Sequence, residues 1–363
     1  VIRGPGASLW GSNASHGIIN IVTKEASKSA GTLVSISSET GYLEHLTSIR
    51  HGYSKENLAL RVYAKESLSR HGKAASGSQQ SVPDIVKAGS EIQDAFRHKQ
   101  SGFRGDYYTS DFTLTFQGDI YENNIQSNKI SLGNKISILD TQSSGHNFLS
   151  RVESIEKDIS LQLYYDHTFF EHNTFEDERK IIDIDFQHLY TFDNSELIWG
   201  LGYRSIINNT ANKGNFFAFA LDPENRNDDV SSFFIQDEFH YLENKLLLTI
   251  GSRFEQNAYT GYEYEPNVHF AYLPNEQSTY WGSISRALSI PSRTSEDAYL
   301  DINGVADFGA ECSDFGGVID SELGCIDVIS KKDEQSVVLL SYELGMRYYW
   351  NKYIMDHAFY YNN

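Results

Sequence analysis

Nothing in this 363-residue sequence offers a membrane helix, because no run approaches the roughly 20 consecutive apolar residues such a helix needs. If the chain crosses a bilayer, it must do so as a closed barrel, whose lipid-facing and interior residues alternate and cancel in any hydropathy average. A negative mean hydropathy is therefore no objection. Methionine and proline are scarce, at two and six residues, whereas Tyr and Phe number 23 and 21; this balance favours strands over helices. Positive charge is also short: 30 Lys and Arg face 49 Asp and Glu, for a net charge of -19. That argues against a nucleic-acid partner, which needs clustered cations to neutralise phosphates. Catalytic signatures are missing too. No Gly-Lys-Ser/Thr follows the opening glycines, and Gly11-Ser12-Asn13-Ala14-Ser15 lacks the central serine between glycines of a hydrolase turn. We read the chain as no enzyme and expect no cofactor.

What is present is period-two alternation. Phe112, Leu114, Phe116 and Ile120 oppose Asp111, Thr113, Thr115, Gln117 and Asp119, giving one apolar and one wet face. The pattern returns in Leu58, Leu60, Val62 and Leu68, in Ile182, Ile184, Phe186, Tyr190 and Phe192, and in Tyr342, Leu344, Met346 and Tyr348. Short turns fall at 108–110, 156–158, 193–195, 243–245 and 274–276, with long excursions near 70–98, 123–145, 207–229 and 288–335. A strict short-long rhythm is expected of an outer-membrane barrel, with brief periplasmic turns and long external loops. A soluble sandwich has no reason to sort its connections by side. The reading is all-β: a transmembrane antiparallel barrel of about fifteen strands, each of about nine to eleven residues.

The opening segment narrows this further. Val1-Ile2-Arg3, the turn Gly4-Pro5-Gly6, the aromatic-bearing Leu9-Trp10-Gly11 and the strand Ile18-Ile19-Asn20-Ile21-Val22-Thr23-Lys24 together resemble the closing part of the plug in TonB-dependent outer-membrane receptors. Further on, Trp281-Gly282-Ser283-Ile284-Ser285-Arg286-Ala287 with Pro291-Ser292-Arg293, and Ser341-Tyr342-Glu343-Leu344-Gly345-Met346-Arg347, resemble two barrel strands of the same family. The resemblance implies a barrel of about 22 strands filled by a globular plug. Residues 1–27 would then be the C-terminal remnant of the plug and 28–363 a partial barrel, truncated at both ends. Implied with it are a Gram-negative outer-membrane location and active uptake of a scarce nutrient complex. The implied ligand is an iron-siderophore, ahead of cobalamin and other bulky nutrients. The TonB energising complex would act through the missing N-terminal segment, and membrane lipid and lipopolysaccharide would surround the wall. A passive porin would lack the plug remnant. A barrel enzyme would present Ser, His and Asp or Glu on neighbouring strand tops.

Three groups of residues stand out. The resemblance implies that Arg3 pairs with Glu343 as a plug–barrel latch, and alternation independently turns Glu343 to the wet face, where a guanidinium can meet it with two parallel hydrogen bonds. Cys312 and Cys325, the only cysteines, lie in the longest excursion; an external loop is oxidising, and we expect a disulfide worth about 3 kcal/mol in the chain-entropy model. His167, Glu171, His172 and Glu176 have the residue types of a zinc-protease helix, but the segment reads as a strand end entering a loop, so no metal is assigned. The acidic runs Asp222 to Asp229 and Glu296 to Asp301 read as solvated.

Overall fold

The computed structural model describes residues 2–3, 7–15, 17–38, 43–72, 94–126, 129–132, 135–138, 141–172, 175–213, 217–302, 326–329 and 334–363. Fifteen strands make the main sheet: β1 (Gly31–Ser38), β2 (Leu43–Lys55), β3 (Leu58–Ser69), β4 (Phe96–Tyr108), β5 (Phe112–Ile125), β6 (Thr141–Ser154), β7 (Ile159–His172), β8 (Phe175–Thr191), β9 (Ser195–Asn212), β10 (Asn225–Tyr241), β11 (Leu246–Asn257), β12 (Gly261–Asn275), β13 (Ser278–Ser289), β14 (Val337–Trp350) and β15 (Tyr353–Asn362). Each pairs antiparallel with its neighbours in sequence, so the sheet is a single up-and-down meander, edged by β1 and β15. Among the described residues no helix is long and apolar enough to cross a membrane.

The alternation read from the sequence sorts the two faces as expected. Phe112, Leu114 and Phe116 share a face with Val152, Phe148 and Tyr107 through the ladder register. Large apolar side chains stand exposed there: Phe116 is 41% and Leu344 60% accessible. The opposite face carries the buried residues, and most are polar, among them Asp106, Asp183, Glu265, Asn267, Ser285 and Ser341. This inverts a soluble sandwich, which hides its apolar side chains.

Two sequence expectations are corrected. All the strands but the two edge strands β1 and β15 are longer than about nine to eleven residues: β8, β9 and β10 run 17, 18 and 17, because the backbone ladder continues past the apolar band into segments read as loop. The strict short-long rhythm also fails. One end of the sheet has only short turns, at 56–57, 109–111, 155–158, 192–194, 242–245, 276–277 and 351–352. The other end mixes long excursions with tight links, since β7 meets β8 after two residues and β11 meets β12 after three. Left-handed backbone helps close these turns, at Glu56 (φ 50) and Asn351 (φ 53) in two-residue links, as such hairpins require, and at Asp158 (φ 49) in the four-residue link 155–158. The long excursions contribute a small sheet of 217–221, 298–302 and 326–329.

Candidate functional site

The opening residues lie on the polar face, fixed at two places. Ile2–Arg3 pairs with Gly17–Ile18 as a two-stranded ladder, and between them α1 (Ala7–Trp10) packs against β10, β11, β12 and β13. The Ser8 hydroxyl donates to Gln236 Oε1 at 2.7 Å and the Ser12 hydroxyl to Glu255 Oε1 at 2.6 Å. Gly11 turns the chain at φ 82, and a Cβ there would stand 2.8 Å from Arg253 Nε. Glycine serves both the angle and the close approach.

The second anchor is a 3-10 turn, Ala26–Ser29, seated on β2, β3 and β4. The Ala26 amide donates to Asp106 Oδ2 at 2.8 Å; Asp106 is 1% exposed and also accepts from Arg104 Nε and, at 2.9 Å, from Thr115 Oγ1. Arg61 donates to the Lys24 carbonyl at 2.8 Å and Arg104 to Thr23 Oγ1 at 2.9 Å. A Cβ on Gly52 of β2 would lie 1.9 Å from the Ser29 carbonyl oxygen, so the wall admits this turn only through a glycine.

Beside the first anchor opens a cleft of about 810 Å³, lined by Asn13, Asp177, Arg179, Asn208, Tyr259 and Arg293 among others. Its wall is the segment after β13, where Ser292 caps the short helix α2 (Arg293–Asp297) and exchanges hydrogen bonds with Ser295. Asp297 ties that helix down: both its oxygens accept from Arg226 Nη1 at 2.9 Å, and Oδ2 accepts from Arg293 Nε at 3.3 Å. Arg226 also donates to Asp228 Oδ1 at 2.7 Å and lies 4.4 Å from the centre of the Tyr259 ring. The Tyr259 hydroxyl donates to Asp228 Oδ2 at 2.6 Å. Burial first, and then this bond to Asp228, hold the Tyr259 phenol above the ordinary tyrosine value. Arg293 reaches further, to Asn208 Oδ1 and the Pro223 and Glu224 carbonyls.

The residues predicted from sequence fare differently. Glu343 lies on the polar face, level with Ser283, and its Oε1 accepts from Ser341 Oγ at 3.4 Å. The Arg3 side chain, Cys312 and Cys325 lie outside what is described. The His167 group lies where expected, at a strand end: β7 closes on Glu171 and His172, and Glu176 is the second residue of β8; His167 Nε2 bonds Glu178 Oε1 at 2.9 Å, and Lys213 bridges Glu171 and Glu176. Among the described residues no cluster of three or more His, Cys, Asp or Glu is placed to hold a metal. The acidic runs are not merely solvated, since Asp228, Glu296 and Asp297 are buried. Sequence reading missed the Arg226–Asp297 pair, whose members are 71 residues apart.

Comparisons with known proteins agree with this architecture. The TonB dependent receptor-like beta-barrel family matches residues 67–363. No curated protein matches the sequence. Among solved structures, the siderophore receptor PirA from Pseudomonas aeruginosa aligns with a TM-score of 0.70 at 15% identity, covering 99% of this chain and 60% of that one. A mutant of the ferric enterobactin receptor PfeA from the same organism gives 0.73 at 15% identity, covering 100% and 57%. The copper transporter OprC gives 0.71 at 11%, covering 99% and 58%. The chain thus spans less than two thirds of the length of these proteins. By its sequence match and its fifteen-stranded antiparallel wall, the chain belongs to the TonB-dependent receptor family and has that family's β-barrel fold.

Proposed function

We propose that this chain forms the closing plug segment (1–27) and part of the barrel wall (28–363) of a Gram-negative outer-membrane receptor for active uptake of an iron-siderophore. The observation that carries the reading is the seam at 8–29, where side chains of the polar face grip an internal segment through Gln236, Glu255, Asp106 and Arg61. A passive porin has no use for such a segment. The adjoining cleft of about 810 Å³ is within the usual range for a small-molecule site, and it is bounded by both the opening segment and the long excursions. A ligand there would touch the plug and the loops together. Siderophore and ferric enterobactin receptors are among the structural neighbours, which favours an iron complex over cobalamin.

In this reading TonB pulls on a segment preceding residue 1, and the seam is what must yield. Arg3 and Glu343 form the latch: single charge reversals abolish uptake and the double reversal restores it, and a failure to restore would remove the latch. The external loop carries a Cys312–Cys325 disulfide, so two free thiols counted without reductant would exclude it. Lipid and lipopolysaccharide cover the apolar face. Growth of a deletion strain on ferric chelates, cobalamin and copper tests the substrate. Loss of growth on one ferric chelate is expected; loss on cobalamin alone, or a defect confined to copper, would overturn the iron assignment.

A further inference from the structure

The backbone bonds of β13 change partners near its upper end. The β12–β13 ladder runs no further than Asn267 opposite Ser285, although β13 continues to Ser289 along β14. Beyond Ser285 the edge of β13 that faced β12 needs other partners, because buried backbone groups without them are costly. It finds them in two side chains and one foreign amide. Leu288, fully buried, donates its amide to Glu265 Oε1 at 3.1 Å. Its carbonyl accepts the Asn13 amide at 2.7 Å. Asn13 Oδ1 then accepts the Ile290 amide at 3.1 Å and the Ser289 hydroxyl at 3.2 Å.

We infer that Asn13 is a positioning residue: it stands in for a strand at the free edge of β13 and so holds the β13–α2 connection, and with it the cleft wall, to the opening segment. The residue type suits the place. Asn13 sits at φ 69, a left-handed conformation that asparagine tolerates better than most residues, and its side-chain carbonyl supplies an acceptor where a strand would offer a backbone oxygen. The stretch it holds runs directly into Pro291, Ser292 and Arg293, which line the cleft, and from there through Asp297 to Arg226. Displacing residues 11–15 would therefore release the wall of the cleft at Pro291, Ser292 and Arg293.

Amide hydrogen exchange in the full-length receptor, without ligand, tests this independently of what is transported. Asn13→Gly keeps the left-handed turn and the amide donor but deletes the acceptor, and exchange at Ile290 should rise about three- to tenfold, the span one hydrogen bond supports. Exchange in the middle of β5 should stay unchanged. Asn13→Asp retains an acceptor and should hold Ile290 within about twofold of the parent. Parent-like exchange at Ile290 in the glycine variant would overturn the inference. So would equal acceleration in the glycine and aspartate variants, or acceleration spread evenly over the sheet.

Discussion

Replacing Gly52 by alanine adds one methyl group at the point where the barrel wall meets the 3-10 turn. The new Cβ would stand 1.9 Å from the Ser29 carbonyl oxygen and 2.5 Å from its carbon. Both are backbone atoms, so no side chain can swing aside and the turn must retreat by about an ångström or more to reach ordinary contact. That retreat stretches the 2.8 Å bond from the Ala26 amide to Asp106. A bond to a charged acceptor is worth about 1.5–3 kcal/mol, and overpacking adds about 1–3 kcal/mol. The docking equilibrium of residues 23–29 should shift by roughly 3–5 kcal/mol, or more than a hundredfold in the open fraction. Lys24 and Lys28 lie within this segment, and when opening is fast, cleavage follows the open population. Tryptic cleavage at these two lysines in the full-length receptor should accelerate at least about a hundredfold. Gly105→Ala is the control: its Cβ would meet only Leu60 Cδ2, at 3.2 Å on the opposite face, where a flexible side chain can yield. Cleavage of Gly52→Ala at the parent rate would refute the claim that the segment is seated as described.

Asp297→Ala leaves Arg226 and Arg293 facing each other without the carboxylate that both bind; thermal unfolding should report a loss of roughly 3 kcal/mol. By contrast Asp356→Ala, which removes the partner of Arg347 in a pair with side chains 49% and 44% exposed, should cost under about 1 kcal/mol. Tyr259 supplies a pH test. Its folded value lies above the ordinary 10.0, so as pH rises the unfolded chain loses this proton first and the folded state resists. The stabilisation it gives is complete below about pH 10 and is lost as pH climbs through the folded value. The stability gap between the parent and Tyr259→Phe should be flat from about pH 7 to 9 and should shrink above about pH 10; a gap that widened there would contradict the burial of this phenol.

The two faces of the sheet were legible because a strand has a period of two, and Phe112, Leu114 and Phe116 keep to it without a break. The turns read at 108–110, 156–158 and 193–195 fall within one residue of those observed at 109–111, 155–158 and 192–194, because short polar clusters between alternating runs mark them. Strand length was not, because above the apolar band both faces of β8 and β9 are polar and no pattern marks where the ladder stops. The seam was half legible: the opening motif announced a docked segment, but Gly52 looked like any strand glycine until the Ser29 carbonyl was placed over it. Asp228 and Asp297 looked like solvated loop acids, because the arginine that buries them is set by tertiary folding, not by spacing. Glu343 could be oriented from alternation alone, whereas its pairing with Arg3 rests on resemblance.

Spin labels at single cysteines, in a full-length receptor with Cys312 and Cys325 replaced by serine and reconstituted in lipid bilayers, test the central claim most directly. Phe116 and Leu163, 41% and 44% exposed on the apolar face, should relax with lipid-dissolved oxygen and ignore a water-soluble nickel chelate. Gln117 and Gln162, one residue away on the opposite face, should show the reverse. Nickel contact at 116 and 163, or indistinguishable behaviour at all four sites, would contradict a membrane wall with a polar interior.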